Sequence, residues 1–185
     1  MRLKIALLLL VPVVLLGCTH AASRNLRFSP ASKEGLVVFQ LASQAGSPIT
    51  FTIARFDVDE GRLTRESSSA EFYVEHHGSE PKHYVLQVPA GNYVIKEVLI
   101  HAPDIIRQLC LSAGTVAFKV DAGQQAFLGD FNFNGKTVEK VGASIRQARD
   151  AMRDYPGVTG ELTPVGLASA TFPNAKHLGN QVCGG

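Results

Sequence analysis

"LQVPAGNYVIKEV" (Leu86–Val98) and "FKVDAGQQAFLGDFNF" (Phe118–Phe133) share one plan: an alternating run, a tight turn, then a second apolar run. In the first, Pro89 presets φ for the turn and Gly91 tolerates its tight end. In the second, Asp121-Ala122-Gly123 takes the same place. Apolar residues at every second position mark half-buried strands. The two stretches therefore predict two hairpins of one β-rich domain.

The same signals extend outward. Strands are predicted over Gly35–Ala42, from Ile49 through "ITFTIARFDV", and over Ala70–His77, His83–Val88, Asn92–His101, Thr115–Val120 and Gln125–Phe133. Ser43–Pro48 and Asp59–Ser69 read as loops. Asn134-Gly135 is the strongest short hairpin signal and predicts a return strand near Thr137–Val141. "SIRQ" from Ser144 has capping-box spacing, and Ile145, Ala148 and Met152 follow at helical steps. A short amphipathic helix over Ser144–Tyr155 is expected, ended by Pro156-Gly157. The tail, Val158–Gly185, reads as loop with one strand near Gly166–Thr171. Short strands at close spacing, bounded by turns, predict a mainly β chain: an antiparallel β-sandwich with one short C-terminal helix.

The order P-x-G-x-Y (Pro89, Gly91, Tyr93), F-x-V-x-x-G (Phe118, Val120, Gly123) and Phe127-Leu128-Gly129-Asp130 resembles a family pattern. It is similar to the transthyretin-like sandwich of small bacterial lipoproteins near the carboxypeptidase regulatory-like group. The resemblance covers Val85–Phe133. It implies a small β-sandwich with an accessory or unknown role and carries no catalytic assignment.

At the N-terminus, basic Arg2 and Lys4 precede an apolar run from Ile5 to Leu16, broken by Pro12. A spanning helix needs roughly 20 apolar residues, so this run reads as a secretory signal. Leu15-Leu16-Gly17-Cys18 resembles the bacterial lipobox. That resemblance implies cleavage before Cys18 and acylation of its thiol and new amine, which anchors the chain without spanning. Thr19, in place of the Asp that marks inner-membrane retention, points to the periplasmic face of the outer membrane. The expected organisation is a signal peptide at 1–17, a tether at 18–32 and the β domain at 33–185.

With Arg2 and Lys4 removed, the formal charge of +2 falls to zero. No Lys/Arg cluster suggests nucleic acid. The expected partners are the membrane, through the lipid, and an envelope protein.

The polar stretch "EHHGSEPKH" places His76, His77 and His83 beside Glu75 and Glu80. Imidazole and carboxylate suit zinc or copper. If Ala70–His77 and His83–Val88 pair, His76 or His77 could face His83. Adjacent His76 and His77 point to opposite faces of a regular strand, so both cannot ligate from one. A solvated loop that carries histidines is the competing reading. Ser67–Ser69 read as a flexible loop, and no Gly-x-Ser-x-Gly occurs. Asp57, Asp59 and Glu60 lack EF-hand register and read as a turn. With no phosphate-cradling glycine motif either, the sequence points to a non-enzymatic binding or scaffolding module without cofactor. The alternative is a weak metal-binding module.

Cys110 and Cys183 remain as an even pair once Cys18 carries lipid. In an oxidising compartment they are expected to bridge and fasten the tail. The alternative is two free thiols, with Cys110 buried as a small hydrophobe.

Overall fold

The computed structural model describes residues 22–64, 71–177 and 180–183. The strands are β1 (Glu34–Ser43), β2 (Ile49–Asp57), β3 (Arg62–Leu63), β4 (Glu71–His76), β5 (Lys82–Pro89), β6 (Gly91–Ala102) and β7 (Ile105–Cys110). Then come β8 (Thr115–Val120), β9 (Gln125–Phe133) and β10 (Val138–Gly142). Helix α1 (Ile145–Met152) precedes β11 (Leu162–Pro164), β12 (Ala168–Ala170), β13 (Asn174–His177) and β14 (Asn180–Cys183).

The chain is mainly β, in two main sheets. One has the order β10-β9-β1-β5, with β11 also on β9. The other runs β12-β8-β6-β2-β3, with β4 also on β2 and β7 on β6, and curls as an antiparallel half-barrel. The first sheet is not purely antiparallel. Both β1 and β11 lie parallel to β9. Between the sheets lies the main core, which includes Val37, Phe39, Phe51, Ile53, Leu86, Tyr93, Ile95, Phe131 and Phe133.

The two matching turns are corners and not hairpins. Pro89–Gly91 carries the chain from β5 in one sheet to β6 in the other, and Asp121–Gly123 carries it from β8 to β9. Alternation fixes which side chains face the core, but a strand in either sheet presents the same alternation. Tyr93 closes the first corner: its hydroxyl donates to the Pro89 carbonyl at 2.6 Å. By contrast, Asn134-Gly135 does join a hairpin, β9 to β10. Gly135 takes a positive φ, and Asn134 Oδ1 accepts from the N–H groups of Lys136 and Thr137.

Helix α1 lies where its spacing predicts, one turn shorter at its end. Ala148 is fully buried, and Ile145 and Met152 pack around it on the outer face of the first sheet, against Leu36, Val38, Val85, Phe127 and Leu162. The expected capping box is absent. Ser144 makes no side-chain cap, and its N–H donates instead to Asp130 Oδ2 on β9 at 3.0 Å.

Two further expectations are corrected. The segment read as a tether is packed from Ala22 onward: Phe28 is buried and bridges Val158. The Phe28 carbonyl accepts from Thr159 N–H at 2.8 Å. Its flanking polar residues hid a single anchoring aromatic. The tail, read as mostly loop, forms four short strands, of which β12 lies where the one strand was expected. β11 and β12 add to existing sheet edges by backbone pairing, which needs little apolar periodicity.

Candidate functional site

The histidines of "EHHGSEPKH" are dispersed by the fold. β4 pairs with β2 and β5 pairs with β1, so the strands carrying His76 and His83 belong to different sheets. His76 points inward and is fully buried. The Tyr84 hydroxyl sits between His76 Nδ1 (2.9 Å) and the Glu75 carbonyl (3.0 Å). Burial pushes the His76 imidazole below its ordinary pKa and drives the Tyr84 phenol up to about 12.

His83 stands in a cross-strand row with Gln40 and Asp130 on the first sheet. Burial lowers its pKa, and the Asp130 carboxylate opposes that shift. His83 Nε2 and Asp130 Oδ1 are both buried without a hydrogen bond among the described residues.

His77 is exposed, with Nε2 at 3.7 Å from Glu75 Oε2. It lines a cleft of about 280 Å³ together with Pro48, Ile49, Thr50, Glu75 and His101. β2 places Thr50 directly across from Glu75 on β4. The His101 N–H donates to the Pro48 carbonyl at 2.9 Å, and His101 Nε2 meets Thr50 Oγ1 at 2.7 Å. The cleft therefore combines an apolar wall, Pro48 and Ile49, with a carboxylate, a hydroxyl and two imidazoles. Such a mix of apolar lining and a few convergent polar groups suits a small polar ligand. His101 was not singled out by sequence reasoning. It lies in a predicted strand, eighteen residues beyond His83 at the end of the histidine-rich stretch, and only the pairing of β2 with both β4 and β6 joins them.

A second polar cluster lies on the outer face of the curled sheet. One extra residue bulges β6, so that Thr52 faces Glu97 while Ile53 faces Ile95. Lys96 and Glu97 consequently lie close together. Lys96 Nζ reaches Glu71 Oε1 at 2.6 Å and Glu97 Oε1 at 3.7 Å. The Tyr73 hydroxyl donates to Glu71 at 2.6 Å. Burial alone would raise the Glu71 carboxyl, but the hydrogen bonds from Lys96 and Tyr73 outweigh it and hold it below the usual range. The same bond pushes the Tyr73 phenol up to about 12.

Gln108 Nε2 donates to Glu97 and to Cys183 Sγ. Cys110 and Cys183 are joined in a disulfide, with Cα atoms 5.5 Å apart. Glu97 with these two sulfurs forms the one close group of three side chains of metal-ligating kind among the described residues. The sulfurs are bonded to each other, so they offer no thiolate to a metal.

The remaining candidates are turn chemistry or lie outside the described residues. Asp57 Oδ1 accepts from the N–H groups of Asp59 and Glu60, a side-chain-stabilised turn. Cys18 and Ser67–Ser69 fall outside the described residues. No protein-family model matches the chain, and no match was found among the curated proteins or the solved structures.

Proposed function

We propose that the protein is a lipid-anchored module of the bacterial cell envelope, held at Cys18 on the periplasmic face of the outer membrane. In this reading it is a transthyretin-like sandwich that binds or scaffolds a partner without catalysis. The observation that carries the reading is the Cys110–Cys183 disulfide. Structural bridges form and persist in oxidising compartments, where the basic and apolar N-terminus would send the chain. The contact site in this reading is the cleft of Thr50, Glu75, His77 and His101. It lies at strand ends and loops, where rigid scaffolds commonly present recognition groups.

The test is a photo-crosslinking residue placed at His77 in cells, with Lys119 on the exposed part of β8 as the control position. A discrete envelope adduct from His77 alone supports the reading. Identical adduct patterns from both positions contradict it.

A second reading, weak metal binding, is favoured by His77 Nε2 and Glu75 Oε2, which lie 3.7 Å apart at the cleft. It uses His77 with Glu75, not His76, His83 or His101, whose Nε2 meets Thr50 Oγ1 at 2.7 Å. Zinc and copper titration of wild type, His77→Ala and Glu75→Gln tests it. Weak binding lost in both variants supports it, whereas unchanged binding in the variants removes it.

A further inference from the structure

The chain joins the domain very soon after Cys18. Ala22 N–H donates to the Val85 carbonyl on edge strand β5 at 2.8 Å. Ala22 and Leu26 pack, with Met152 and Tyr155, against the cluster beneath α1. The Phe28 N–H donates to the Gly157 carbonyl at 3.1 Å. A Cβ on Gly157 would come within 2.5 Å of the Leu26 carbonyl oxygen, so the segment is seated closely beside the end of the helix.

Four Cα steps separate Cys18 from Ala22. Fully extended, they reach about 14 Å. A lipid at Cys18 therefore keeps this part of the domain within about one or two Debye lengths of the bilayer surface at physiological salt.

The surface beside that attachment point is basic. Arg24 and Arg27 flank the start of the segment, and α1 with its end presents Arg146, Arg149 and Arg153; all five are exposed. Three carboxylates stand among them. Asp154 lies 3.9 Å from Arg24, Asp150 lies 3.1 Å from Arg153, and Glu161 lies 3.3 Å from Arg149. Cations outnumber anions there, whereas the chain from Cys18 onward is formally neutral.

The geometry points to a membrane-facing surface: residues 22–27 and α1 lie against the anionic phospholipid headgroups of the bilayer that holds Cys18. The inference rests on the proposed acylation of Cys18. Its physical basis is the short reach of the chain and the charge complementarity of the face, since arginine near an anionic leaflet is attracted over about a Debye length. The curled sheet, with the His77 cleft, is then left available to a partner.

The test uses the full acylated protein reconstituted in vesicles of phosphatidylethanolamine with phosphatidylglycerol, carrying a headgroup quencher. A fluorophore is attached at Gln147→Cys on α1 or at Ile106→Cys on the curled sheet; both positions are exposed. Quenching several-fold stronger at 147 than at 106 is expected. The difference should vanish in the Arg146→Glu, Arg149→Glu, Arg153→Glu triple variant and at high salt. Equal quenching at the two positions, with the protein still floating with the vesicles, overturns the orientation and leaves the anchor intact. Failure to float overturns the anchor, and the inference falls with it.

Discussion

At the scale of single residues, burial decides what the polar groups can do. His76 looked like a ligand because it stands beside another histidine. The fold turns it inward, where the Tyr84 hydroxyl satisfies Nδ1. A pH dependence follows. An unfolded His titrates near pH 6.5, and burial depresses His76 below that value. Below pH 6.5 the unfolded chain therefore binds a proton that the folded chain does not, so stability falls as the pH falls. One such group contributes a slope of at most about 1.4 kcal/mol per pH unit. Urea unfolding of wild type and His76→Gln between pH 7.5 and 5, as rough bounds set by that pKa, should show a shallower loss of stability in the variant. Parallel curves would show that His76 plays no part.

The Lys96 bulge was partly legible at the same scale. Tyr93 and Ile95 set one phase of the apolar alternation, and Val98 and Ile100 set the other. The slip falls on adjacent Lys96 and Glu97. What the sequence did not disclose is that Glu71, from another strand, would complete the charged cluster.

At the scale of elements, strand positions were legible and strand partners were not. Period-two patterns located β1, β2, β4, β5, β6, β8 and β9 closely. Yet a strand of either sheet shows the core the same face, so both corners read as hairpins and the parallel pairing of β1 with β9 left no trace. β7 was missed for a different reason. Its residues from Ile105 to Gln108 are exposed on both faces, which removes the alternation a half-buried strand would show.

Gly123 shows how two roles can hide in one residue. The sequence assigns it a turn, and its φ of 72° agrees. The fold adds a contact: a Cβ there would collide with the Pro30 carbonyl of the docked N-terminal segment. Gly46 has a similar φ of 68° and open space around it, so it isolates the backbone cost. Gly46→Ala should cost about 1 kcal/mol. Gly123→Ala should cost about 1–3 kcal/mol more, the usual range for overpacking. Equal losses of stability in chemical denaturation would mean that the segment does not seat against this turn.

At the scale of the molecule, the first and last described segments are secured by different means. The N-terminal segment is held by Phe28 and by backbone hydrogen bonds at the foot of α1. The C-terminal strands are tied to β7 by the Cys110–Cys183 bridge. The bridge closes 73 residues of sequence, for which chain-entropy scaling gives on the order of 4 kcal/mol. Cysteine parity and the expected compartment made the pair legible. They did not reveal that Glu97 and Gln108 would lie against it, because that depends on the bulge in β6. We propose that an exported, lipid-bearing chain folds into this disulfide-closed β domain. Intact-mass analysis of the protein recovered from bacterial envelopes, before and after reduction, tests it most directly. The expected species is a chain that starts at Cys18, carries the added mass of acyl chains, and gains the mass of two hydrogens on reduction. A chain with a different N-terminus and no acyl mass, or one whose mass is unchanged by reduction, would contradict it.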